Sequence, residues 1–182
     1  MKVRLIGFRG LGFTKDSKDE PALIRAGHVG WQLEGDKRIF GFHPTKEAID
    51  NVGGDDAAIE WLKEHKTLDG SVQVDNTIFE RANELVPILE ASGAKRIPRV
   101  WQQIIELSDD EFERIKVATE IWYTQGKIAA YGFPSPTSGT NVNNCATFPK
   151  ILGLPIPEET GQLSVYIPQL EALGEPWQGV SE

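Results

Sequence analysis

A chain of 182 residues can bury one sizeable core, and no shift in composition divides it, so a single domain over 1–182 is expected. Its 27 acidic residues outnumber 19 basic ones, for a net charge of −8, and the basic residues are scattered without a stripe, which argues against nucleic acid as a partner. No apolar run approaches transmembrane length, Arg9 interrupts the N-terminal stretch before a signal-peptide apolar region forms, and one cysteine permits no internal disulfide; a cytoplasmic location, or export by a specialised secretion system, is expected.

In chain order, Val3, Leu5 and Gly7 alternate with Arg4, Ile6 and Phe8 and predict a first strand. Residues 10–21 form a polar, Gly-containing loop of the kind that walls a neighbouring site. Residues 27–44 read as a β-hairpin turning at Gly35-Asp36, with Gly at the first central position of a two-residue type II′ loop. That register opposes Trp31 to Phe40, Val29 to Phe42, Leu33 to Arg38, Glu34 to Lys37 and His28 to His43.

Strand alternation then gathers Val29, Trp31, Leu33, Phe40 and Phe42 on a core side broken only by Arg38. The other side carries His28, Gly30, Gln32, Glu34, Lys37, Ile39, Gly41 and His43. Opposed residues have β-carbons roughly 4.5–5.5 Å apart, so the two imidazoles, beside Gly30 and Gly41, form a polar notch for a third group.

Beyond the hairpin, Thr45 can cap a short helix stopped by Gly53-Gly54, and Asp55 or Asp56 can start another reaching His65, a solvated helix end. Val72 and Val74 mark a short strand after an Asp69-Gly70 turn. Residues 78–92 have helical spacing, although Pro87 would kink or split the helix. A strand is expected over 99–107. The clearest helix follows, with a Ser108/Glu111 capping box and a stripe of Phe112, Ile115, Ala118, Ile121 and Trp122 ending at Gly126. Trp31, Trp101 and Trp122 fall on core faces, which favours packing over sugar stacking.

The lone cysteine follows a Pro/Gly/Ser/Thr/Asn-rich loop from Tyr131. Asn143 or Asn144 can serve as N-cap, placing Cys145 in the first turn of a helix, where the dipole and a nearby imidazolium would favour a thiolate. A lone cysteine is more often a small buried apolar residue; its polar Asn-Asn setting and the histidine pair favour chemistry.

His28, Gly35-Asp36, His43-Pro44 and, later, Asn144-Cys145-Ala-Thr-Phe148 come in an order that resembles the circularly permuted NlpC-type papain-like superfamily, which includes lecithin:retinol acyltransferase-like enzymes. The likeness spans about 27–153, with a long helical insert around 45–95. It implies an α+β papain-like fold: an antiparallel sheet carrying the histidine pair, packed against a helix bearing the cysteine at its N-terminus. Carried residue by residue, it makes Cys145 the nucleophile, His28 the general base and His43 the group that orients His28. The Cys145 N–H, with Asn143, Asn144 or Gln32, would meet the oxyanion.

The implied activity is a cysteine hydrolase of amide or peptide bonds working through an acyl-thioester, with lipid acyl hydrolysis or transfer as the alternative. Peptide, peptidoglycan or lipid acyl groups are the implied substrates. Some members are bacterial effectors or toxins, and a cognate inhibitor or immunity protein would partner such a protein. A non-catalytic binding module that kept the fold is the rival from another class. No cofactor is expected, and a metal site is disfavoured because His28, His43 and Cys145 lack an evident fourth ligand.

Overall fold

The computed structural model describes residues 1–133, 142–156 and 163–179. Seven strands, β1 (Lys2–Arg9), β2 (Gly27–Leu33), β3 (Phe40–Pro44), β4 (Leu68–Val74), β5 (Val100–Glu106), β6 (Ala129–Tyr131) and β7 (Glu175–Pro176), form one antiparallel sheet. Their order is β6-β4-β3-β2-β1-β5-β7. The described helices are α1 (Ala22–Ala26), α2 (Lys46–Val52), α3 (Asp55–Lys63), α4 (Asn76–Ala91), α5 (Asp109–Thr124), α6 (Phe148–Ile151) and α7 (Leu163–Leu173). The architecture is α+β.

Alternation along the central strands explains why both faces of the sheet are covered. Val3, Leu5, Val29, Trp31, Phe40 and Phe42 join Phe112 and Ile115 of α5 and the Cys145–Phe148 segment in one core. Ile6, Phe8 and Ile39 point the other way, onto Ile24 of α1 and Phe79, Ala82 and Leu85 of α4. The side of the hairpin expected to be a polar notch is therefore the floor of a second core.

The helices begin and end where their capping chemistry dictates. Thr45 Oγ1 accepts from Ala48 N–H at 3.1 Å, and Gly53, at φ 107°, ends α2. The Ser108/Glu111 capping box starts α5, with Glu111 Oε2 accepting the Ser108 N–H at 3.0 Å. Pro87 does not split α4: the ring is exposed, and the carbonyl one turn earlier, at Asn83, lies on an exposed residue where water can replace the lost bond.

Three expectations are corrected. Gly35, at φ 79°, is the second central residue of a turn closed by Asp36 N–H to Leu33 O at 3.0 Å, so the loop is not type II′. The chain then takes residues 36–39 before rejoining the sheet. Asn76 fixes this longer loop by accepting from Ile39 N–H and donating to Lys37 O, both at 2.8 Å. The expected pairing survives at Gly30–Gly41 and Trp31–Phe40 only. Asp69-Gly70 is not a turn but part of β4, paired with β6. Finally, residues 45–95 are not only a helical insert, because they contribute β4, which extends the sheet beside β3.

Candidate active site

His28 is the second residue of β2 and His43 the last but one of β3, and both turn toward the start of α4. Their ring centroids are 5.7 Å apart at 75°. The expected direct contact between them is replaced by a residue that hairpin reasoning missed. Asp75, 3 % exposed, stands between the rings, with Oδ2 at 2.7 Å from His28 Nε2 and Oδ1 at 2.9 Å from His43 Nε2. Asp75 occupies the N-cap position of α4, yet its side chain makes no capping bond. An Asp just before a helix reads in sequence as a cap, and this one is diverted to the histidines.

Gly41 makes room for the arrangement. A β-carbon at 41 would overlap Asp75 Oδ2 and lie 2.5 Å from His28 Nε2. Gln73 Nε2 and Pro44 O both lie 3.2 Å from His43 Nδ1, and His43 Nε2 faces Asp75 Oδ1. His28 donates from Nε2 to the other oxygen.

The remaining nitrogen of His28, Nδ1, is buried without a hydrogen bond among the described residues. The Cys145 thiol is the neighbour that acts on this ring. It belongs to the α5-side core, whereas His28 packs on Phe79 in the α4-side layer, at a centroid distance of 5.6 Å. The interaction spans the two layers at the end of the hairpin, where β2 and β3 are no longer paired beyond Gly30–Gly41.

Burial opposes a charge on His28, but the hydrogen bond and charge of Asp75, with the nearby Cys145, outweigh it and raise its pKa to about 10. Burial likewise opposes charge on Asp75, and the two histidines overcome it, lowering its pKa to about 2. The pair is thus an imidazolium and a carboxylate across neutral pH.

Cys145 itself is fully buried, at 0 % exposure. Asn144 closes the turn that holds Cys145, its Oδ1 accepting from Ala146 N–H at 2.9 Å and Thr147 N–H at 3.0 Å, while the N-cap of α6 is Thr147 rather than Asn143 or Asn144. The expected Cys-bearing helix is corrected, however. Residues 145–147 form a turn, and α6 follows with four residues, too short for a dipole argument. Phe148 anchors the turn by stacking on Phe42, 4.0 Å between centroids at 9°.

Tyr131, at the end of β6, is the second residue missed. It is buried beside Cys145, and burial first, then the charge and hydrogen bond of Cys145, push its phenol well above its ordinary range. It is brought there by Asn143, whose N–H donates to Ala130 O at 3.1 Å and whose carbonyl accepts from Gly132 N–H at 2.9 Å. Asn143 and Asn144 therefore lie beside the cysteine as expected. Gln32 does not: it is four residues along β2 from His28, about 13 Å. Both ends of its amide are engaged, by Arg4 at 3.1 Å and Asp36 O at 2.9 Å. The loop before the cysteine falls largely at 134–141, outside the described residues.

Comparison with known protein families, with curated proteins and with solved structures gave no match.

Proposed function

We propose that the chain is a cysteine-dependent hydrolase of amide or peptide bonds, with a papain-like, permuted arrangement in which Asp75, His28 and Cys145 act as a triad. The observation that carries the reading is that one buried imidazole is hydrogen-bonded to a carboxylate at Nε2 and interacts with the chain's single thiol. Asp75 holds the Nε2 proton and so presents Nδ1 to the sulfur. His43 positions Asp75 from its other oxygen, an indirect form of the orienting role expected for it.

In the reaction, the Cys145 thiolate attacks the substrate carbonyl carbon, forming a C–S bond as the carbonyl electron pair moves to oxygen. Collapse expels the amine, which takes the proton from His28 Nδ1. Water then attacks the thioester, giving a proton to His28; the C–S bond breaks, the acid leaves and the thiolate returns. The oxyanion would be met by the Cys145 N–H, which makes no hydrogen bond among the described residues, and by the hydroxyl of Tyr131, buried beside the same sulfur. Transfer to an acceptor other than water, or attack on a lipid ester, would use the same groups.

The complete burial of Cys145 favours a second reading, a binding module without turnover. Alkylation by iodoacetamide between pH 4 and 9, on wild type and His28→Ala, separates the two. The hydrolase reading expects native reaction with an inflection well below the free-thiol value of about 8.5, lost in the variant. Reaction only after denaturation would sink it and support the module.

A further inference from the structure

The geometry points to a second site: a binding cavity for a polyvalent oxyanion, carrying phosphate or carboxylate groups, between the loop after β1, the end of α1 and the segment before β5. The cavity has a volume of about 790 Å³. Five cations, Arg9, Arg25, Lys95, Arg96 and Arg99, line it against one carboxylate, Glu171. In a chain of net charge −8, this concentration is opposite in sign to the molecule as a whole.

Carboxylates within and beside the cavity neutralise part of that charge. Arg9 is held by Glu171 in a two-bond pair at 2.9 and 2.8 Å, Arg25 by Asp56 at 2.7 Å, and Arg99 by Glu90. Lys95 and Arg96 have no carboxylate partner among the described residues, so two positive charges are left over.

Arg25 supplies an independent sign of a ligand. Its side chain is 8 % exposed, and its Nε is buried without a hydrogen bond among the described residues. A buried guanidinium N–H without an acceptor is costly, and an anion in the cavity it lines would satisfy it. Arg96 packs over the backbone of Gly12, which itself donates to Arg25 O at 2.9 Å, and a β-carbon at 12 would come within 2.5 Å of Arg96 Nη1. Phe13, stacked under Arg25 at 5.2 Å, and Ile97 give the ligand an apolar surface beside the cations. Phosphate and carboxylate both match the planar donor fork of arginine.

This site does not depend on the cysteine chemistry, and binding alone tests it. Calorimetric titration of the full chain at low ionic strength with inorganic tripolyphosphate, and in a parallel arm with citrate, reads the affinity. The exposed, unpaired Lys95 and Arg96 are changed singly and together to Ala, with Lys46→Ala, outside the cavity, as the surface control. Saturable one-site binding is expected in wild type, Lys46→Ala and Cys145→Ala, weakened roughly tenfold or more by Arg96→Ala and lost in the double variant. Binding of tripolyphosphate alone assigns a phosphate ligand, and of citrate alone a carboxylate. No saturable binding of either, or equal binding by the folded double variant, overturns the proposal.

Discussion

Asp75 holds His28 by a 2.7 Å bond to Nε2 inside the fold, and this bond decides which ring nitrogen faces Cys145. In Asp75→Asn, His28 loses the carboxylate that holds it protonated in a buried setting, so the imidazolium that pairs with the Cys145 thiolate and protonates the leaving amine is depleted. Hydrolysis should fall by about 10²–10⁴-fold, by analogy with the same change in serine triads. Steady-state kcat checks it, and a fall of less than threefold would mean that Asp75 is not in the reaction path.

His43 reaches His28 only through Asp75, so its loss should cost less. His43→Ala is expected to keep measurable turnover, while His28→Ala and Cys145→Ala abolish it. Equal and complete loss in His43→Ala and His28→Ala would contradict a purely positioning role. Replacing Gln73 by Glu or Ala, which touches His43 Nδ1, should give a milder version of the His43 phenotype.

Gly41 is required by space rather than by backbone freedom. Gly41→Ala places a methyl group against Asp75 Oδ2 and His28 Nε2, so the carboxylate must move off the ring. Activity should drop with that of Asp75→Asn, and stability should fall by about 1–3 kcal/mol, the usual cost of overpacking. Urea unfolding and kcat measured on the same preparation check both.

Stability should vary with pH in a defined sense. His28 has a folded pKa of about 10 against an ordinary 6.5, so its contribution is full below about pH 6.5 and is lost as pH rises toward 10. Asp75 has a folded pKa of about 2 against 3.8, so its contribution is full above about pH 4 and is lost as pH falls toward 2. A plateau between about pH 4 and 6.5 with declines on both sides is expected in urea midpoints. Asp75→Asn should flatten both declines, and an unchanged profile would show that the pair is not linked to folding.

Phe148 carries the cysteine turn into the core through its stack on Phe42 and its edge contact with Trp122 at 5.0 Å. Phe148→Ala should cost about 3–5 kcal/mol of stability. Phe148→Leu, which keeps most of the volume, should fold and yet alkylate faster at Cys145, because the turn is less firmly held. Unchanged alkylation in a folded Phe148→Leu would disconnect the stack from the position of the sulfur.

Local features are readable along the chain. Alternation and caps are short-range, so β1, the apolar face of the hairpin, α5 with its capping box and α2 with its Thr45 cap are legible there. The register at Gly30–Gly41 and Trp31–Phe40, and with it the closeness of His28 and His43, followed from counting along two strands. What those residues meet depends on long-range packing. Asp75 is 32 residues beyond His43, and β4 brings it to the rings through a strand pairing that no spacing rule encodes. Cys145 and His28 meet across two layers at the open end of the hairpin, and Gln32 is excluded by its place along β2. Arg9, Arg25 and the Lys95–Arg99 segment look scattered in the chain and surround one cavity in the fold. Sequence patterns fix which face of an element is apolar, whereas long-range packing fixes which charges share a space.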